Sequence, residues 1–289
     1  MKDPVFTGVC TALVTPFINE RINYPMAEVL LRRQIDAGVN AVVLAGTTGE
    51  APTLTDEEKI TLFHRCKNYV GDQCTIIAGT GSNSTSHTIA LSIAAEQAGA
   101  DALLVVSPYY NKSNHTGLVE HYTAIAQAVQ IPIIIYNVPS RTGLDIPVSV
   151  YRKLSEIPNI VGIKEASGDI TKQVKTHNSC GDCMRIWAGN DDQIIPSIAL
   201  GGMGVISVLS NIYPKETSHM VQAALKGDYQ TAARLQNCFS EKISLLFSDV
   251  NPIPVKFAMR CIGYDCGDCR LPLGRLSIAQ QQKIAELFQ

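Results

Sequence analysis

The chain has 289 residues, of which 46% are hydrophobic and 17% are charged, so it can bury a large core and is not a disordered protein. Its formal net charge is -2 and it has no basic run, so it lacks the usual signature of a nucleic-acid-binding protein. The sequence also lacks a basic amphipathic segment, an apolar stretch long enough to cross a bilayer and, in residues 1–5, an apolar signal core. We therefore expect a cytoplasmic protein without nucleic-acid or membrane partners.

Short β-branched runs alternate along the chain with longer segments of helical periodicity. The predicted strands cover residues 8–14, 41–45, 75–78, 102–106, 131–136, 160–164, 185–188 and 204–207. The helices predicted to follow them cover residues 25–37, 55–70, 84–98, 115–129, 147–154, 169–176, 191–200 and 214–225. Three further helices are predicted at residues 229–247, 254–262 and 277–288.

This alternation predicts an α/β protein of the (β/α)₈ TIM barrel class. The barrel should occupy residues 1–225, and residues 226–289 should form a C-terminal helical extension packed on its side. The alternative is a doubly wound open sheet, which usually carries a glycine fingerprint after its first strand. Here Thr15-Pro16-Phe17 follows the first strand instead, which favours the barrel.

Polar and reactive side chains gather at one end of the predicted barrel. Catalytic groups of such barrels lie at the carboxyl ends of the strands and in the loops that follow. The residues placed there, in strand order, are Thr47, Thr48, Tyr109, Tyr110, Tyr136, Asn137, Arg141, Lys164, Gly189, Asn190, Asp191, Ile206 and Ser207. A lone tyrosine after a strand is usually a packing residue. Hydroxyls, phenols, one amine and one guanidinium at a single mouth indicate a catalytic site.

Lys164 ends the sixth predicted strand, after the short apolar run Ile160 to Ile163. Burial disfavours the charged form of an amine, and an uncharged amine is a nucleophile toward carbonyl groups. Because strand side chains alternate, Lys164 and Gly162 should share one face while Glu165 points to the other. The competing interpretation is a lysine that extends to solvent or pairs with Glu165.

Metals and phosphate fit this mouth poorly. None of the six histidines ends a predicted strand, so a zinc-dependent aldol mechanism lacks ligands. The loop at residues 208–211 is not glycine-rich, and Gly79-Thr-Gly81 lacks the lysine of a phosphate loop. We therefore predict a small unphosphorylated carbonyl acid as substrate and no cofactor. The nine scattered cysteines suit reduced thiols, although the Cys-Gly-Asp-Cys pairs at 180–183 and 266–269 leave a structural zinc as an alternative.

Six stretches, distributed over nearly the whole chain, form a specific set. They are GTTGE at 46–50, PYYNK at 108–112, YNVPSRTG at 136–143, GIKEASG at 162–168, GGMGVIS at 201–207 and NPIPVK at 251–256. They closely resemble the 4-hydroxy-tetrahydrodipicolinate synthase family, formerly the dihydrodipicolinate synthases, within the pyruvate-dependent class I aldolases. The resemblance implies condensation of pyruvate with L-aspartate 4-semialdehyde in diaminopimelate and lysine biosynthesis.

The catalytic residues implied by the resemblance are Lys164, Tyr136, Thr47 and Tyr110. Lys164 would form a Schiff base with pyruvate, and the resulting enamine would attack the aldehyde. Tyr136 would shuttle protons, with Thr47 linking it to Tyr110 of a partner subunit. A lone phenol is a poor shuttle at neutral pH, whereas a relay moves its proton without leaving a free phenolate.

The substrate-binding residues implied by the resemblance are Thr48 and Ile206 for the pyruvate carboxylate and Arg141 for the semialdehyde carboxylate. The family also implies a homo-oligomer of at least two chains, commonly a dimer of dimers. An N-acetylneuraminate lyase is the alternative enzyme, but it would have serine in place of Thr47 and would lack the arginine. A non-catalytic sensor would have lost part of the lysine, tyrosine and threonine set, which is complete here.

Inhibition by lysine is a common property of the family, with the ligand bound in a cleft at the dimer interface. Sensitive relatives place a glutamate there to hold the ammonium group, whereas the corresponding residue here is His87. Asp56 and Lys59 stand where sensitive relatives often have histidines. A histidine attracts a cation far less than a carboxylate does, and Lys59 adds a like charge that Asp56 offsets in part. We predict weak or absent inhibition in a cleft that retains Asn83 and Tyr109.

Overall fold

Eight parallel strands close into a barrel in the computed structural model, which describes residues 2–288; Met1 and Gln289 lie outside the described residues. The strands are β1 Gly8–Ala12, β2 Ala41–Leu44, β3 Thr75–Gly79, β4 Ala102–Val106, β5 Ile133–Asn137, β6 Ile160–Glu165, β7 Arg185–Ala188 and β8 Gly204–Ser207. Each pairs with its sequence neighbours, and β8 pairs with β1. The barrel prediction is confirmed, and the open sheet is excluded.

Helices surround the barrel and continue beyond it. They are α1 Tyr24–Asp36, α2 Asp56–Val70, α3 Thr85–Gln97, α4 His115–Ala128, α5 Pro139–Thr142, α6 Val148–Leu154, α7 Ile170–Cys180, α8 Ile194–Ala199, α9 Pro214–Leu225, α10 Tyr229–Leu246, α11 Ile253–Cys261 and α12 Ile278–Phe288. The capping box at the start of α2 is present, since Thr55 and Glu58 exchange backbone-to-side-chain hydrogen bonds of 3.0 and 3.2 Å. Among the described residues, no helix is long and apolar enough to span a membrane.

The structure corrects several predicted boundaries. The first strand ends before Val14, whose amide donates to the Asn211 side chain at 3.1 Å instead of continuing the ladder. The helix predicted at 191–200 begins as a 3₁₀ turn, Asp191–Gln193, before α8. Two features were not predicted, the short antiparallel pair of Phe17–Ile18 with Arg21–Ile22 and the four-residue helix α5.

The barrel interior and its outer surface carry separate apolar clusters. The interior cluster includes Cys10, Val43, Ile77, Leu104, Ile134, Tyr136, Trp187 and Ile206. The outer cluster joins the strands to the helices, and residues of the extension, Phe239, Leu246, Val255, Met259 and Phe288, belong to it. The extension therefore shares its core with the barrel.

The amino end of the barrel is closed. Phe6 stacks on Trp187 with ring centroids 5.1 Å apart, and the Trp187 indole donates to the Phe6 carbonyl at 3.2 Å. Lys2 Nζ donates to the carbonyls of Ser155, Ile157 and Ile160 at 2.6–2.7 Å. Access to the interior is therefore left to the carboxyl ends of the strands.

Candidate active site

Lys164 lies in the barrel wall beside Tyr136. The strand register pairs Lys164 with Tyr136 of β5 on one side and with Trp187 of β7 on the other. Its Nζ lies 4.2 Å from the centroid of the Tyr136 ring, and the lysine is only 5% exposed. Gly162 makes room on the same face, because a Cβ there would lie 2.6 Å from Cζ3 of Trp187. The structure thus brings a buried amine and a phenol together.

Glu165 points to the opposite face of β6 and is occupied there. Its Oε1 accepts hydrogen bonds from the Asn137 side chain at 2.9 Å and from the Ser167 amide at 2.8 Å. Its Oε2 accepts from the Tyr151 hydroxyl at 3.4 Å. The interpretation in which Lys164 pairs with Glu165 or extends to solvent is therefore wrong.

The mouth opens into a cavity of about 470 Å³. Thr47, Tyr136 and Arg141 line it together, so residues of two separate stretches, 46–50 and 136–143, meet at one cavity. Arg141 reaches this wall because α5 follows directly after β5, and its Nη2 donates to the backbone carbonyl of Asn251 at 3.3 Å. The volume suits a small substrate.

The same cavity continues to the residues of the predicted lysine cleft. Its lining also includes Asp56, Lys59, His87 and Tyr109. His87 Nε2 lies 2.8 Å from Oδ2 of Asp56, and Lys59 Nζ lies 3.6 Å from Oδ1 of the same carboxylate. Partial burial acts to raise the pKa of Asp56, but the hydrogen bonds and charges of His87 and Lys59 outweigh it and lower that pKa. Asp56 is therefore already engaged by two cationic or polar neighbours.

The remaining predicted site residues are placed differently. Thr48 and Ile206 are buried behind the mouth, and the Thr48 hydroxyl accepts a hydrogen bond from the Asn251 side chain at 2.9 Å. Tyr110 is 92% exposed and has a left-handed backbone with φ of 70°. Within a single chain, Tyr110 is thus separate from the group formed by Lys164 and Tyr136.

Asp191 holds the loop that follows β8. Its Oδ2 accepts from the amides of Val208 and Leu209, each at 2.9 Å, while its buried Oδ1 has no hydrogen-bond partner among the described residues. Burial raises the pKa of Asp191, and hydrogen bonds from Ser207 and the two amides oppose that shift. This carboxylate therefore fixes the backbone just after Ile206.

The sequence interpretation missed three polar residues that hold the loops of the mouth, Glu50, Asn251 and Lys256. Glu50 and Lys256 form a buried ion pair, and Asn251 contacts both Thr48 and Arg141. Two of these lie in the NPIPVK stretch, which was noted only for its resemblance. The sequence signal that could have identified this pair is Lys256 itself, a lysine within the apolar segment Ile253–Cys261, because a buried lysine needs a partner.

Comparison with known proteins decides the family. The profile described as the Dihydrodipicolinate synthetase family matches residues 5–289. This chain belongs to the dihydrodipicolinate synthetase family. Members named 4-hydroxy-tetrahydrodipicolinate synthase include one from Exiguobacterium sibiricum, 47% identical over 99% of this chain and 98% of that protein. Another, from Thermoanaerobacter sp. strain X514, is 46% identical over 95% of this chain and 93% of that protein.

Solved structures of the dihydrodipicolinate synthetase family share the whole fold. The chloride-inhibited dihydrodipicolinate synthase from Acinetobacter baumannii, complexed with pyruvate, is 40% identical and superposes with a TM-score of 0.95. The match covers 97% of each chain. Together with the named relatives, it confirms the prediction of an aldolase-type lyase, a 4-hydroxy-tetrahydrodipicolinate synthase of diaminopimelate and lysine biosynthesis.

Proposed function

We propose that this chain condenses pyruvate with L-aspartate 4-semialdehyde through a Schiff base on Lys164. The observation that carries the proposal is the buried Lys164 amine, 4.2 Å from the centroid of the Tyr136 ring, where Tyr136 lines a cavity together with Thr47 and Arg141. A nucleophile beside a proton carrier is the arrangement that covalent carbonyl chemistry requires.

In the proposed reaction, the Lys164 nitrogen bonds to the keto carbon of pyruvate and water leaves, giving an imine. The imine makes the pyruvate methyl group acidic, so loss of a proton gives an enamine, whose carbon attacks the aldehyde. The amino group of the semialdehyde then attacks the imine carbon, closes the ring and releases Lys164. Tyr136 carries the protons that these steps take up and release.

Arg141 binds the carboxylate of the semialdehyde in this proposal. Its exposed side chain stands on the cavity wall, and one of its nitrogens is oriented by the Asn251 carbonyl. A planar guanidinium makes two-point contact with a carboxylate, which fixes the orientation of the aldehyde as well as its affinity. Thr48 and Ile206 hold the pyruvate carboxylate on the opposite, buried side.

Tyr110 completes the site of a neighbouring chain, so the working unit is at least a dimer and the expected assembly is a dimer of dimers. The support is a phenol that is 92% exposed on a left-handed backbone position, next to Tyr109 of the cavity wall. The proposed relay runs from Tyr136 through Thr47 to Tyr110, and the Tyr110 of this chain is exposed instead of lining its own cavity.

A complementation experiment tests the shared site. A Lys164→Ala chain and a Tyr110→Ala chain should each be nearly inactive, but after subunit exchange one mixed site carries both intact groups and activity should return. Exchange is followed independently with differently tagged chains. Exchange without recovery of activity would show that Tyr110 does not serve a partner.

We also propose that the enzyme works in the cytoplasm. All nine cysteines are free thiols, including both Cys-Gly-Asp-Cys pairs. Unpaired, scattered cysteines are typical of proteins kept in a reducing compartment. Cell fractionation with a thiol-reactive probe tests both the location and the reduced state.

Borohydride trapping tests the covalent step directly. Incubation with pyruvate and borohydride should add one pyruvate-derived group to each chain, and peptide mapping should place it on Lys164. The Lys164→Ala variant is the control and should remain unlabelled at the same pyruvate concentration. A label on another lysine, or no label on a folded protein, would refute the proposed site.

A further inference from the structure

The C-terminal extension reaches back to the loop that follows β2. Glu50 of that loop is 1% exposed and Lys256 of α11 is 3% exposed. Oε1 of Glu50 accepts a hydrogen bond from Lys256 Nζ at 2.7 Å, and Oε2 accepts from the backbone amide of Arg270 at 2.9 Å. Both carboxylate oxygens are therefore bound by residues of the extension.

Glu50 ends a tight loop whose shape depends on its anchorage. Its φ is 60°, in the left-handed region that non-glycine residues rarely adopt. Its amide donates to the Thr47 carbonyl at 3.1 Å, and the next amide, of Ala51, donates to the Gly46 carbonyl at 3.1 Å. Thr47 and Thr48 lie inside this loop, so a shift of Glu50 moves both hydroxyls.

Asn251 supplies a second contact from the extension to the same loop. Its side-chain amide donates to the Thr48 hydroxyl at 2.9 Å, and its backbone carbonyl accepts from Arg141 at 3.3 Å. The side chain of Asn251 thus contacts Thr48, the residue proposed to bind pyruvate. Its backbone contacts Arg141, the residue proposed to bind the semialdehyde.

A buried ion pair is an expensive way to stabilise a fold. Well-packed apolar residues often match or exceed a buried pair in stability, because both charges must be desolvated. The Glu50–Lys256 hydrogen bond nevertheless holds the two side chains at a defined distance. Lys256 Nζ also contacts the Asp268 carbonyl at 3.3 Å and the centroid of the Phe17 ring at 4.2 Å. What the pair provides is a defined position for the loop.

We propose that Lys256 and Asn251 are positioning residues for pyruvate. Through Glu50 and Thr48, the C-terminal extension fixes the loop of residues 46–50 so that Thr47 meets Tyr136 and Thr48 meets the pyruvate carboxylate. The inference rests on the roles proposed above for Thr47 and Thr48. It gives the extension a function in catalysis, in addition to its packing on the barrel.

The first test compares Lys256→Met with Lys256→Arg. Lys256→Met should raise the KM for pyruvate and lower kcat/KM for pyruvate by about 10- to 100-fold, the cost of a misplacement on the scale of 1 Å. The KM for the semialdehyde should change much less. Lys256→Arg keeps the positive charge and should recover most of the loss, which a defect in packing alone does not predict.

Lys67→Met is the matched control. Lys67 pairs with Asp101 at 2.8 Å near the amino end of β4, far from the mouth. Its loss should lower the unfolding temperature and leave both KM values unchanged. If Lys67→Met shifts the pyruvate KM as much as Lys256→Met does, the effect is general destabilisation and the proposal is overturned.

Asn251→Ala keeps the proposal testable if Lys256→Met does not fold. The backbone carbonyl that contacts Arg141 remains, so only the Thr48 contact is lost. The pyruvate KM should rise about 3- to 10-fold, as for loss of one buried hydrogen bond, with the semialdehyde KM within about two-fold. A wild-type pyruvate KM and trapping rate in folded variants would overturn the positioning role. Failure of wild-type protein to trap pyruvate on Lys164 would instead refute the proposed function.

Discussion

The two ends of the barrel are built on opposite principles. At the amino end, Phe6 stacks on Trp187, and Lys2 Nζ donates to three backbone carbonyls. At the carboxyl end, the Lys164 amine is buried against the Tyr136 ring, and Oδ1 of the buried Asp191 carboxylate has no hydrogen-bond partner among the described residues. Charges left poorly paired in a low-dielectric site cost stability but keep chemical reactivity. The amino end therefore stabilises the barrel, and the carboxyl end holds the site proposed for the chemistry.

Tyr136→Phe gives the largest expected effect and tests the reactive end. Removal of the hydroxyl should lower kcat by about 100-fold or more, because general acid–base residues contribute about 10²- to 10⁴-fold. Tyr122→Phe is the control, since the hydroxyl of this buried tyrosine donates to the Val105 carbonyl at 3.3 Å in the outer cluster. Steady-state turnover decides, and near-normal kcat in Tyr136→Phe would contradict the assignment.

Arg141→Ala should act on one substrate. Loss of a charge-assisted, two-point contact is worth about 1.5–3 kcal/mol, so the KM for the semialdehyde should rise about 10- to 100-fold. The KM for pyruvate should change little, because the proposal places its carboxylate at Thr48 and Ile206 on the buried side. Arg141→Lys keeps the positive charge but cannot make the two-point contact, so its KM for the semialdehyde should be intermediate. Equal effects on both substrates would mean that Arg141 is structural.

Lys2→Met tests the stabilising end. The variant removes one donor from each of three carbonyls and should lower the free energy of unfolding by about 1–3 kcal/mol. Turnover should stay within about two-fold of wild type, because the mouth is at the other end of the barrel. The exposed Lys226→Met is the control and should change neither quantity. A loss of kcat in Lys2→Met without unfolding would break the separation of the two ends.

Prediction from sequence succeeded where local periodicity and strand order decide the outcome. Eight strand–helix repeats gave the barrel, and strand ends gave the convergence of Lys164, Tyr136, Thr47 and Arg141. It failed where distant segments meet. The hydrogen bond from Lys256 to Glu50 joins residues 206 positions apart, and no local periodicity predicts such a contact. Helix α5 was missed because four residues are too few for a helical period.

Inhibition by lysine is the smallest expected effect, and the structure sharpens the reason. The sequence predicts that Asp56 offsets the charge of Lys59 only in part, and the structure shows its carboxylate already held by His87 at 2.8 Å and Lys59 at 3.6 Å. A lysine ligand would have to displace these neighbours and face the charge of Lys59, so the cleft should not hold it.

Titration of lysine at pH 8, where histidine is ordinarily neutral, gives the ligand its best chance. Wild-type turnover should be unchanged at millimolar lysine. His87→Glu restores a carboxylate in the same cavity and should introduce inhibition, whereas His64→Glu, on an exposed face of α2, should not. Submillimolar inhibition of the wild-type enzyme would show that Asp56 exchanges its partners for the ligand. In that case the cleft would regulate the reactive end despite its local charge.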